Sequence, residues 1–126
     1  MKIDKADSLF SKYIRIRDKW ICQRCRKQYE EGAGGIHCSH FYGRRNENTR
    51  FEPDNCISLC YGCHKYFDET NREAYRDFKI KQLGDKRFKT LKLQANLYKK
   101  KDRILEVITW KAALEEQLKH KDFLKL

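Results

Sequence analysis

The chain has 126 residues, 40% hydrophobic and 37% charged, which suits one domain with a small core and excludes a membrane-embedded protein. The opening MKIDKADSLF lacks the apolar run of a secretory leader, and no stretch approaches the roughly 18 apolar residues of a membrane span. Net charge is +11, with 13 Lys+Arg against 10 Asp+Glu in residues 1–71 and 16 against 8 in residues 72–126, so a polyanionic partner is expected, DNA above an anionic membrane surface.

In chain order, residues 7–20 read as a helix, with Leu9, Phe10, Tyr13 and Ile14 as an apolar stripe and Asp7 or Ser8 as the N-cap. Cys22-Gln-Arg-Cys25 is a tight turn, and residues 30–35, EEGAGG, a loop. Residues 36–41 and 56–59 suit two short strands, joined by a loop that holds the only proline, Pro53. CYGCHKYF then turns into a helix. Thr70 and Glu73 have capping-box spacing for a helix running to Leu83, which Gly84 closes, and Asp85 is placed to cap the next. From Lys86 to about Lys121 there is neither Pro nor Gly. Apolar residues recur there at helical spacing, and KKKD at 99–102 marks a bend. The expected organisation is a core over residues 1–84 and a basic helical extension over 85–126, forming one compact unit.

Two CxxC pairs, Cys22/Cys25 and Cys60/Cys63, each place two sulfurs in one turn. In a reducing cytoplasm this is the pattern of a four-thiolate structural Zn²⁺ site, a closed tetrahedron that braces a core too small to stand alone. Cys38 and Cys56 are left over and are expected as small interior strand residues. The zinc site uses no histidine, so His37, His40 and His64 need another account. The order His40, Asn55, His64 lies on strand, loop, strand and helix, a unit that can gather three side chains at one point.

The segments FSKYIRIRDKWICQRC, HCSHFYGRR and TRFEPDNCISLCYGCH resemble the HNH endonucleases, and most closely the phage recombination nucleases of the NinG/Rap type. The resemblance covers about two-thirds of the chain. It implies an α+β, mainly helical fold: a small zinc-braced ββα-metal core with an N-terminal helix and long C-terminal helices. It implies that His40 is the general base, that Asn55 steadies the loop carrying it, and that His64 binds a catalytic divalent metal, Mg²⁺ or Mn²⁺. An imidazole suits both tasks. One position departs from the common pattern. Ser39 stands where many such enzymes carry a metal-binding Asp or His directly before the base. The substitutes are His37, two residues earlier on the same strand face, and Asp68, four residues after His64; His37 is the first choice. Arg44, Arg45 and Arg50 are expected to hold DNA phosphates, Arg50 foremost.

The expected function is therefore hydrolysis of backbone phosphodiesters in duplex or branched DNA by a cytoplasmic phage enzyme. One site per chain nicks one strand, and the C-terminal helices are candidates for a DNA-binding face, a homodimer surface, or packing back onto the core. Two rivals remain: a non-catalytic zinc module that binds nucleic acid, and a recombination or packaging accessory acting through its helical tail.

Overall fold

The computed structural model describes residues 2–125, with side chains described through residue 120. It is α+β and mainly helical: α1 (Lys5–Arg17), β1 (Ile36–His40), β2 (Cys56–Cys60), α2 (Tyr61–Lys65), α3 (Arg72–Leu83), α4 (Asp85–Ala95) and α5 (Arg103–Lys125). No described helix is long and apolar enough to cross a membrane.

Helix α1 begins earlier than the pattern suggested. Asp4 is its N-cap: the Asp7 backbone N–H donates to Asp4 Oδ1 at 3.0 Å, and the Asp4 N–H donates back to Asp7 Oδ2 at 2.9 Å. Asp7 is thus the third residue of a capping box, where Asp replaces the usual Glu. Ala6, Phe10 and Ile14 form the buried stripe. The helix stops at Arg17 because Lys19 and Trp20 both take left-handed backbone angles, φ 57° and 59°. Such angles are costly for residues with a Cβ. Burial of the Trp20 ring compensates, and the turn starts the first CxxC loop.

Strands β1 and β2 pair antiparallel, with His40 opposite Cys56, Cys38 opposite Ser58 and His37 opposite Leu59. Strand alternation therefore puts Cys38, His40 and Cys56 on one face and His37, Ser39, Ile57 and Leu59 on the other. The second face meets α3 in a cluster containing Phe67, Tyr75, Phe88 and Leu91. The first face meets a second cluster built from Phe10, Ile14, Phe51 and Trp110. Arg17 fastens α1 to the sheet by donating from Nη2 to the Cys56 carbonyl at 2.8 Å and from Nη1 to the Pro53 carbonyl at 3.0 Å.

After α2 the chain makes a π-helical turn, Tyr66–Thr70, which occupies Thr70. The N-cap of α3 is consequently Asn71, whose Oδ1 accepts from the Ala74 N–H at 2.9 Å, and not Thr70. Gly84, at φ 82°, joins α3 to α4 directly, a conformation that glycine adopts without strain. Asp85 is the first residue of α4, not its cap. The KKKD segment is a full break rather than a bend. Helix α4 ends at Ala95 and α5 starts at Arg103, with Asp102 Oδ1 accepting from the Ile104 and Leu105 amides.

Helix α5 packs along α1. The Trp110 ring meets Phe10 edge-on at 4.7 Å and Tyr13 at 5.1 Å, and Gln117 Nε2 donates to the Tyr13 carbonyl at 2.9 Å. Residues beyond 84 thus complete the core around α1.

Candidate functional site

The four knuckle cysteines converge. One sulfur from each of Cys22, Cys25, Cys60 and Cys63 lies within 4.8 Å of the other three, a spacing that suits a tetrahedral structural metal such as zinc. Their positions follow from local backbone geometry. Cys22 and Cys25 sit in a knuckle closed by the Arg26 N–H donating to the Cys22 carbonyl at 2.8 Å, with Arg26 left-handed at φ 66°. Cys60 ends β2 and caps α2, its sulfur accepting from the Cys63 N–H at 3.4 Å. Burial alone would raise the Cys22 thiol, yet the backbone amides of Cys25, Cys60 and Arg24 bring it down to about 7. At Cys63 burial wins and pushes the thiol up to about 12. The Gln23 N–H donates to the Ser58 carbonyl at 2.9 Å and ties the knuckle to the sheet.

Asn55 is fully buried between the two strands. Its Oδ1 accepts from the Tyr42 N–H at 2.8 Å, while Nδ2 donates to the carbonyls of Tyr42 at 2.8 Å and Thr49 at 3.1 Å. One amide thus fastens both ends of the loop that follows His40. The far side of that loop is held by Asn46 and Asn48, which donate to the Ala95 and Gln94 carbonyls at the end of α4.

His40 ends β1, nine-tenths buried. Its Nε2 lies 2.9 Å from the Arg50 carbonyl. A carbonyl only accepts, so Nε2 carries the proton and the lone pair is on Nδ1. Burial, reinforced by the Arg44 charge, pushes the ring down to about 4, so it is neutral at physiological pH.

A cleft of about 460 Å³ joins His40 to Gly43, Arg44, Arg45, His64 and Asp68, with Ile3 and Cys38 completing its wall. Asp68 follows His64 by four residues, one helical turn, and His64 Nε2 lies 2.9 Å from Asp68 Oδ2. On the other side of the His64 ring, Nδ1 lies 3.1 Å from His37 Nδ1. With Nε2–H donating to Asp68, His64 Nδ1 accepts from His37. Both candidate second ligands therefore touch His64, but only Asp68 shares the cleft with His40. His37 lies on the opposite face of β1 and lines an adjoining depression that shares His64 and Asp68 with the cleft and adds Tyr61, Lys65 and Glu69. Strand alternation thus turns His37 away from His40, whereas Asp68 lines the cleft with it. Ser39 is buried with its hydroxyl 2.7 Å from the Tyr75 hydroxyl and offers nothing to the cleft.

Arg50 requires a correction. Its guanidinium does not face the cleft. Its side chain is 6% exposed, with Nε donating to Asp7 Oδ1 at 2.8 Å, Nη2 donating to Asp7 Oδ2, and Glu47 3.8 Å from Nη1. The Asp7 carboxylate, buried in the first turn of α1, draws it inward. Arg50 instead acts on the site through its backbone, as the acceptor for His40. Arg44 and Arg45 do line the cleft.

Sequence reasoning missed two features. Asp7, 43 residues from Arg50, has no spacing signal that would pair them. Cys38 and Cys56, expected only as interior fillers, lie with His40 in a second group whose potential ligand atoms fall within 4.8 Å of one another; the signal was the Cys-x-His alternation on β1.

A protein-family model described as Bacteriophage Lambda NinG protein matches residues 2–123. No curated protein and no solved structure matches the chain.

Proposed function

The chain belongs to the bacteriophage lambda NinG family, and on that premise we propose that it is a metal-dependent DNA endonuclease of the HNH class, acting in phage DNA recombination or processing. The observation that carries this reading is the single cleft in which a neutral, oriented imidazole, His40, faces a His–carboxylate pair and two arginines.

His64 and Asp68 fit a divalent cation such as Mg²⁺ or Mn²⁺. A ring nitrogen and a carboxylate oxygen stand 2.9 Å apart on the cleft wall, sharing a proton that a cation would replace. When bound, the ion supplies positive charge at the scissile phosphate and at the departing 3′ oxygen. His40 takes the proton of the attacking water on Nδ1, while the Arg50 carbonyl holds the ring's other nitrogen. Asn55 keeps the loop from shifting the base off line. Arg44 and Arg45 receive the phosphates flanking the cut. The excess of +11 charges draws the DNA, duplex or branched, and makes binding fall steeply with salt. One cleft cuts one strand, so cleavage of both strands or of a junction calls for a second copy.

The test is a nicking assay on supercoiled, linear, single-stranded and branched DNA with Mg²⁺, Mn²⁺ or EDTA. Wild type cleaves with the metals and not with EDTA. His40→Ala binds DNA with unchanged affinity and cleaves none, because a base acts on water and adds little to ground-state binding. Wild-type cleavage by His40→Ala would defeat the reading and leave a zinc module that only binds nucleic acid.

A further inference from the structure

We propose that Cys38, His40 and Cys56 form a second metal site, at the floor of the cleft, that takes a thiophilic divalent ion such as Zn²⁺ or Cd²⁺. Two sulfurs and a ring nitrogen lie within 4.8 Å of one another there. Zinc bonds of about 2.3 Å to sulfur and about 2.0 Å to nitrogen place tetrahedral ligand atoms roughly 3.5–3.8 Å apart. Closing onto an ion therefore needs only small side-chain adjustments.

The scaffold is rigid. Cys38 and His40 alternate onto one face of β1, and Cys56 stands directly opposite His40 on β2. All three are buried, at 6%, 9% and 0% exposure, so few other rotamers compete with the converging ones. The His40 nitrogen with the free lone pair is the one that the Arg50 carbonyl leaves available.

Charge supports the assignment. Two thiolates and one divalent ion sum to zero, which is the condition for burying ionised groups at little cost. Arg17, which donates to the Cys56 carbonyl, adds a positive neighbour to the Cys56 side of the site. Binding expels the two thiol protons. A Cys₂His set is soft and selects Zn²⁺ or Cd²⁺ over Mg²⁺ or Mn²⁺, the reverse of the preference at His64 and Asp68. Three protein ligands leave a tetrahedral ion one position short of closure. Cys38 and His40 line the cleft, so that position is reached from solvent.

An ion here consumes the His40 lone pair. On the nuclease reading above, zinc then has two opposed effects: at the knuckle it holds the fold, and at the strand site it silences the base.

The experiment is elemental analysis of the full-length protein after loading with Zn²⁺ and removal of loosely held metal, with Co²⁺ loading to read thiolate charge-transfer absorption. Wild type retains two zinc per chain. Cys38→Ala and Cys56→Ala each retain one, with unchanged circular dichroism, and lose part of the cobalt–thiolate absorption. Wild type with a single zinc, either variant with two, or a Cys38–Cys56 disulfide in protein handled under reductant would overturn the site. A second arm follows Mg²⁺-supported nicking against added Zn²⁺. The zinc concentration that halves the rate rises in Cys56→Ala by at least about tenfold, the loss caused even by removing an outer partner of a ligand. Two bound zinc ions with no inhibition would refute the silencing. A chain that cleaves no DNA would refute the nuclease reading, and the metal count would still decide the site.

Discussion

Replacing Asp7 by Asn removes the charge that holds Arg50 while keeping the shape of the side chain. Asp7 is 2% exposed, so solvent screens little of its interaction. Burial alone would raise its carboxyl, but the Arg50 bond, the Asp4 amide and the Arg50 charge together hold it at about 2 against an ordinary 3.8. At about 1.4 kcal/mol per decade, that difference is worth about 2.5 kcal/mol of folding stability at neutral pH. Removing the anion also leaves a buried guanidinium with the Glu47 carboxylate 3.8 Å away and the Lys2 carbonyl at 3.2 Å, so the loss is of this order. At about 2.1 cal/mol/K per residue, the unfolding entropy of 126 residues converts it to a drop of about 10 °C in Tm. The sign with pH follows from the lowered carboxyl. Its contribution is complete above about pH 4 and fades as pH falls towards 2. Thermal melting of wild type and Asp7→Asn by circular dichroism at pH 7, 5 and 3.5 measures this. The gap stays constant from pH 7 to 5 and narrows below about 4. A gap at pH 7 under about 2 °C, or one that widens on acidification, would refute the argument. Because the Arg50 carbonyl is the His40 acceptor, the variant should also nick more slowly at temperatures where it is fully folded.

Cys25→Ser and Cys60→Ser each lose the knuckle zinc and unfold the segment around β1, β2 and α2, taking with it any ion held on the strands, read by zinc content and melting; full zinc with wild-type melting would remove the four-cysteine assignment. Asp68→Ala raises the Mg²⁺ or Mn²⁺ concentration needed for half-maximal nicking more than His37→Ala does, because Asp68 shares the cleft with His40; titration of metal against rate checks the order, and the reverse order returns His37 as the ligand. Burial holds His40 at about 4, so its neutral, base-competent form persists as pH falls from 7 to about 5, and a pH–rate profile taken with Mg²⁺ held saturating shows no loss across that range.

What could be read in advance divides by the range of the interaction. Two CxxC pairs, a short strand on either side of a proline turn, and a histidine on the first turn after the second pair are local patterns, each fixed by a few consecutive residues. The convergence of Cys22, Cys25, Cys60 and Cys63 and the placement of His40, Asn55 and His64 at a strand end, a proline turn and a helix start were accordingly legible. The helix starts were displaced by competing local donors and acceptors. Asp4 displaced Asp7 because Asp7 could return the bond, and the π-helical turn consumed the Thr70 cap. Asp68 meets His64 at the four-residue spacing that places both on one helical face.

Arg50 shows where local reading ends. Three arginines in one loop carry the same charge and look equivalent as phosphate ligands. Asp7 and Glu47 converge on Arg50 and draw it into the core, whereas Arg44, whose Nε stands 4.0 Å from Asp7, and Arg45 remain on the cleft wall. The buried pair is not idle: it fixes the backbone carbonyl that decides which nitrogen of His40 keeps its lone pair. On the two readings proposed above, that same nitrogen has two uses, a proton from water or a bond to a soft metal alongside Cys38 and Cys56. The ion pair between α1 and the loop thus sets the chemistry of the cleft without touching anything that enters it.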